Sequence, residues 1–317
     1  MLKNRNYKIF TLLLLPLVIL SGCGEADIVG NELSESEPGP VVLSGEENRV
    51  FGEIGETAAR LTGIIGIEGL GEFEFNPDEV VSLRDDIFRE GFFSLFDVLV
   101  HLERNGGIEI DYYFDEEMNT HVISNLGGHG NWWYDAYYDG GWRERSVFRM
   151  DHYPYKDKMT LNIVQAPEEY LDSIYDTYRQ EIARFNENSG KIIVPEVIIE
   201  GKDEILKFEN VEIKAHNLRP DMFQPGVVTA IDTILSLGEE GLISYDLQWY
   251  ESIGTAGVVK SYWVDRINED ESAGRCGFVY EAGDERFLFF RGNHNHIPSD
   301  VRVINSPQYV KYFWICI

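Results

Sequence analysis

Positive charge is scarce in this chain relative to negative, and cysteine is scarce outright. Its 317 residues carry 27 Lys and Arg against 55 Asp and Glu, a formal net charge of -28, and only 10 of those cations are lysine. So acidic a chain repels polyanions, which excludes nucleic acid and anionic lipid headgroups as default partners. The acids are spread along the chain rather than bunched. That fits a salty or alkaline medium in which repulsion is screened; attraction of a cationic ligand is the other reading.

Three cysteines occur, Cys23, Cys276 and Cys316. The last two either pair outside the cytoplasm or stay as buried free thiols. Catalytic signatures are also lacking: there is no phosphate loop, nucleophile elbow, zinc-protease pair or calcium loop. The expectation is a protein that is not an enzyme and carries no cofactor. Asn293-His294-Asn295-His296 places two imidazoles at i and i+2, but two ligands are too few for a typical zinc site, and no metal is expected.

What is present begins at the first residues. Lys3, Arg5 and Lys8 precede an apolar run, Ile9 to Leu20, too short for a comfortable membrane span, and Leu20-Ser21-Gly22-Cys23 follows. A basic start, a short apolar stretch and small residues make a secretory signal over 1–22. The Leu-Ser-Gly-Cys ending resembles a bacterial lipobox, which implies lipidation at Cys23 and attachment to the extracytoplasmic side of a bacterial membrane. Acyl chains there anchor at about 0.8 kcal/mol per buried methylene. Removing 1–22 takes away three cations and no acid, moving the charge from -28 to -31. The stretch 23–60, rich in Gly, Glu, Ser and Pro up to Gly45, reads as a flexible tether.

The rest of the chain repeats itself. LRDDIFREGFFSLFDVLVHLERNGGIEID from Leu83 matches LRPDMFQPGVVTAIDTILSLGEEGLISYD from Leu218 without a gap, with identities that include Arg84/Arg219, Asp86/Asp221, Phe88/Phe223, Gly91/Gly226 and Asp97/Asp232. Further on, Tyr134-Asp135-Ala136 meets Tyr280-Glu281-Ala282, and Phe148-Arg149-Met150-Asp151-His152 meets Phe290-Arg291-Gly292-Asn293-His294. Such self-similarity marks a duplicated unit. Each copy predicts an extended segment (Gly71 to Phe75; Ile205 to Ala215) and then a helix. Phe92, Leu95, Phe96 and Leu99 in one helix, and Val227, Ala230, Ile231 and Ile234 in the other, have helical spacing. Ser94-x-x-Asp97 and Thr229-x-x-Asp232 have the form of N-terminal capping boxes, so both acids read as caps. Gly106 and Gly241 end the helices.

Strands are predicted at Ile108 to Phe114, His121 to Leu126, Asn131 to Tyr138 and Met159 to Val164. In the second copy they fall at Ile243 to Tyr250, Val258 to Ile267, Gly277 to Glu281, Phe287 to Arg291 and Tyr309 to Ile315. Pro167 to Asn188 predicts one amphipathic helix between the copies. The fold class is α+β, with one helix on a mixed sheet in each copy. The domains are 61–166, a helical connector over 167–204, and 205–317.

The pattern resembles a known family. Gly91, Ser94 to Leu99, Val122-Ile123-Ser124-Asn125-Leu126-Gly127 and Trp132-Trp133-Tyr134 are similar to the β-grasp C-terminal domain of transcobalamin and intrinsic factor, also found in bacterial surface lipoproteins. Gly226, Thr229 to Ile234, Val264-Asp265-Arg266-Ile267-Asn268 and Phe278-Val279-Tyr280 carry it in the second copy. The resemblance implies a tandem duplication of a β-grasp-like domain, and a corrinoid as one ligand to consider.

Asn131 to Glu144 concentrates aromatics, and the second copy keeps only part of them. Trp132, Trp133, Tyr137, Tyr138 and Trp142 are therefore candidates for a platform that stacks on a ring compound or glycan; packing in the core is the equal alternative. Arg149 with His152, and Arg291 with His294, can hold a carboxylate or phosphate, or can tie a strand end to a loop. The functional expectation is non-catalytic recognition of a small ligand or glycan. The rival is a structural or protein-interaction module of the cell envelope.

Overall fold

The computed structural model of the chain describes residues 41–44, 48–55, 60–137, 144–253, 258–288, 291–294 and 297–316. The signal segment, Cys23, Tyr138, Trp142 and His296 lie outside the described residues.

Two short strands come first, β1 (Val41–Ser44) and β2 (Asn48–Phe51). The first half then runs β3 (Gly63–Ile67), β4 (Gly71–Phe75), α1 (Leu95–Arg104), β5 (Ile110–Asp115), β6 (Thr120–Leu126), β7 (Trp132–Tyr137), β8 (Glu144–Arg145) and β9 (Thr160–Gln165). The long helix α2 (Glu168–Glu187) leads to the second half. That half comprises β10 (Ile192–Glu200), β11 (Ile205–Ile213), α3 (Asp232–Glu239), β12 (Tyr245–Tyr250), β13 (Ser261–Ile267), β14 (Asp270–Glu271), β15 (Cys276–Gly283) and β16 (Tyr309–Cys316). The fold is α+β. None of the described helices is long and apolar enough to cross a membrane.

Helix α1 starts where its sequence says it should. The Ser94 side chain accepts from the Asp97 amide at 3.2 Å while Asp97 accepts from the Ser94 amide at 2.7 Å. A cap of this kind is worth about 1 kcal/mol. Leu95, Phe96, Leu99 and Leu102, on one face, are buried. In the second half the Asp232 carboxylate takes the Thr229 amide at 2.7 Å, but the return bond comes from the Asp232 amide to the Thr229 carbonyl. Gly106 and Gly241 follow the helices, both at φ 70°, where a side chain would be strained.

Two of the sheets share a strand order. The first is β4-β3-β9-β7-β8 and the second β11-β10-β16-β15. In each, the leading strand lies parallel to the last (Ile65 opposite Leu161; Val197 opposite Val310) and its hairpin partner is antiparallel. Two expected boundaries change. Strand β10 lies inside 167–204, so that stretch is a connecting helix followed by the central strand of the second half. Strand β2, inside the expected tether, pairs in parallel with β12 (Asp246 opposite Arg49) and buries Asn48 and Val50. The predicted strand Phe287 to Arg291 falls partly outside the described residues, and its first residue ends a 3-10 turn, Glu285–Phe287, capped by the Asp284 side chain.

The halves meet through reciprocal bonds. The Arg89 amide donates to the Met222 carbonyl and the Gln224 amide to the Ile87 carbonyl, both at 2.9 Å. Arg89 Nε donates to the Phe223 carbonyl at 2.9 Å, and Gln224 Nε2 to the Phe88 carbonyl at 3.2 Å. A shift of 135 positions (224 less 89, 222 less 87) converts each bond into the other. Residue i meeting j while j meets i is the signature of a local two-fold axis, here within one chain.

Candidate functional site

The aromatic strand β7 is core on both faces. Trp132 and Trp133 are 4% exposed, and Tyr134 is fully buried. Their polar atoms are taken by backbone: Trp132 Nε1 donates to His129 at 2.8 Å, Trp133 Nε1 to Ser146 and the Tyr134 hydroxyl to Phe148, each at 2.6 Å. The platform reading assumed one helix layer, which leaves one face open. Helix α2 supplies a second cover, with Tyr175 edge-on to Trp133 at 6.1 Å. Tyr137, at the strand end, is half-buried.

Arg149 and His152 are also built in. Arg149 Nε donates to the Met118 carbonyl at 2.8 Å, its Nη1 bonds Glu181, and its guanidinium lies 4.2 Å from the Tyr178 ring centre, tying the loop to α2. Arg84 Nη1, always a donor, reaches His152 Nε2 at 2.7 Å. Burial, reinforced by Arg84 and Arg149 against the pull of Asp151, lowers the His152 imidazole to about 3. Arg291 is exposed while His294 is buried near Phe313, so the two do not form a common ligand site. Cys276 and Cys316 face each other across β15 and β16 and are joined by a disulfide.

The expected match of Phe148–His152 to Phe290–His294 is displaced. Tyr134 and Tyr280 donate to Phe148 and Ile297, each at 2.6 Å, so Ile297 is the counterpart of Phe148. Asp151 then corresponds to Asp300, and the chemistry agrees. Arg84 forks onto Asp86 (2.8 and 2.7 Å) and reaches Asp151 at 3.0 Å; Arg219 forks onto Asp221 (2.9 and 2.8 Å) and reaches Asp300 at 3.0 Å. Burial alone would raise the Asp151 carboxyl, but the bond from His121 and the Arg84 charge outweigh it and hold the group below the carboxylate range. For Asp300, burial wins and the carboxyl is raised despite Arg219.

Beside Arg219 lies a cleft of about 280 Å³. Phe92, Tyr155 and Trp249 are its largest apolar walls, and Arg60, Lys156 and Lys260 reach it. First-half residues Pro154 to Asp157 form one side and second-half residues around β12 and β13 the other. Lys156 Nζ crosses the cleft and donates to the Val259 carbonyl; Arg219 Nη1 donates to the next one, Lys260, at 3.2 Å. Arg219 also lies 5.2 Å from the Trp249 ring centre. Burial lowers the Lys156 ammonium to about 7, with Arg219 and Lys260 adding and Asp300 opposing. Burial beside Asp157 pushes the Tyr155 phenol up to about 12. Apolar walls with a few convergent charges at a boundary between structural halves are the usual form of a small-molecule site.

Sequence reasoning overlooked these residues. Arg84 and Arg219 stood among the repeat identities, but Lys156 and Lys260 differ between the copies and lie in loops, where no periodicity marks them. Among the described residues no cluster of His, Cys, Asp or Glu could hold a metal ion. Comparison with known proteins finds no matching family model, no similar curated protein and no similar solved structure.

Proposed function

We propose that this chain is a lipid-anchored extracytoplasmic binding protein, a tandem duplication of a β-grasp-like domain that takes a small ligand into the cleft between its halves without chemical conversion. The observation that carries the reading is the cleft of about 280 Å³ with Phe92, Tyr155 and Trp249 on its walls. The parallel central pair, the antiparallel hairpin and the single helix of each half support the β-grasp assignment. A corrinoid is far larger than this space, and a glycan calls for more polar walls. A single ring or short branched compound suits it best.

Trp249, 8% exposed and on the wall, is the reporter. Tryptophan emission of the purified protein is followed against a panel of small aromatic and alicyclic compounds. A saturable change that Trp249→Phe abolishes is the expected result. Silence across the panel from a sample that melts cooperatively overturns the proposal in favour of an envelope interaction module.

A further inference from the structure

The local two-fold gives the cleft a counterpart, and the differences between the two places are informative. Trp249 on β12 corresponds to Phe114 on β5, 135 positions earlier. The stretch around Lys156 corresponds to that around Asn305, 149 positions later: the Tyr155 amide bonds Phe93 at 2.9 Å and the Ile304 amide bonds Val228 at 3.0 Å. Val301 therefore corresponds to His152. In the counterpart the larger, buried His152 stands where Val301 lines the open cleft, and Asn305 Nδ2 lies 3.4 Å from its Nδ1. One place is an open cleft, and in its twin a buried imidazole and an asparagine amide stand against each other.

The charges differ in one direction. Lys156 stands where the twin has Asn305. Lys260, whose carbonyl accepts from Arg219, stands where Asn119 accepts from Arg84 at 3.3 Å. Both Asn119 and Lys260 are left-handed, at φ 51° and 46°. Asparagine adopts that conformation readily and lysine does so at some cost, so a lysine here is a strained choice, of the kind that collects at functional sites. Arg60, five residues before Ile65, stands where Ile192 precedes Val197. Against these three cations the open cleft gains one acid, Asp157 in place of Ser306. The gain is two positive charges (three less one), in a chain that carries twice as many acids as cations.

We propose that the open cleft is a site for a small organic anion, its apolar body against Phe92, Tyr155 and Trp249 and its acidic group between Lys156 and Lys260. The inference rests on the binding reading above and adds the charge of the ligand. An anion entering an apolar cleft loses hydration, and charge-assisted bonds from two ammonium groups restore what water supplied.

The test uses two fluorescent probes of one shape: 8-anilino-1-naphthalenesulfonate, an anion, and N-phenyl-1-naphthylamine, its neutral analogue without the sulfonate. Purified protein is titrated with each at pH 6. The sulfonate is expected to saturate one site about tenfold more tightly than the neutral probe, a difference of about 1.4 kcal/mol. The double variant Lys156→Asn with Lys260→Asn carries the twin's own residues, which its surroundings already accept. It is expected to erase that preference, so that the two probes bind the variant with equal affinity. Equal affinities in the unaltered protein, or a preference that survives both substitutions, overturns the anion proposal and leaves the binding reading standing. Failure of both probes to bind overturns the two together.

Discussion

Phe88 and Phe223 meet ring to ring, centroids 5.7 Å apart at 39°, and each occupies in its own half the place the other occupies in its. The contact sits on the local axis, so it belongs equally to both halves. Replacing either ring with alanine opens a cavity at the junction and is expected to cost about 3 to 5 kcal/mol. Because the partner loses the same contact, the double replacement should cost less than the sum by about 1 kcal/mol. Urea unfolding of the two single variants and the double checks this. Strict additivity would show that each ring is held by its own half alone.

Trp133 packs between β7 and α2, with its indole nitrogen bonded to Ser146. Trp133→Ala is expected to destabilise by about 3 to 5 kcal/mol, a large fraction of the total for a domain. A melting temperature within a degree or two of the parent protein would contradict its place in the core.

His152 links stability to pH. Its folded value of about 3 lies well below the value of about 6.5 for an unfolded imidazole. Between these limits the unfolded chain takes up a proton that the folded chain refuses. The contribution is therefore complete above pH 6.5 and declines as pH falls toward 3. At pH 4.5 the loss from this group amounts to about 2 to 3 kcal/mol. His152→Val, which copies Val301, is expected to flatten the stability curve between pH 4.5 and 6.5. An unchanged slope in denaturant titrations would assign the acid sensitivity to other groups.

The disulfide closes a loop across a sequence separation of 40. On the chain-entropy account it restrains the unfolded state by about 4 kcal/mol. Cys276→Ala with Cys316→Ala should lose most of that without altering the cleft between the halves, which takes no lining residue from β15 or β16. Calorimetry and probe titration on the same sample separate the two effects.

Much of the scaffold was legible because local rules dictate it. Ser94 and Asp97 announce a helix start, Leu95, Phe96 and Leu99 its buried face, and the glycines at 106 and 241 its end. Strand β10 was hidden because Pro195 interrupts an otherwise apolar run, a residue that argues against a central strand. The observed register passes over Pro195 and its opposite number Asn210, which takes φ 54°. Trp132 and Trp133 were ambiguous because alternation along a strand tells which residues share a face, not what lies upon it. Only the packing of α2 settles that. The cleft was invisible for a further reason: Lys156, Trp249 and Arg60 are brought together by the local two-fold, and no spacing in the chain encodes it.

The pairing of β2 with β12 has a consequence for the order in which the molecule can be assembled. Residues 48–51 are made early, yet Arg49 finds Asp246, 197 positions later, only when most of the second half exists. Closing so long a loop is entropically costly and slow unless the intervening chain has already condensed. The strand is thus among the first pieces synthesised and among the last to be seated. A chain halted before residue 246 would leave Asn48 and Val50 without their cover.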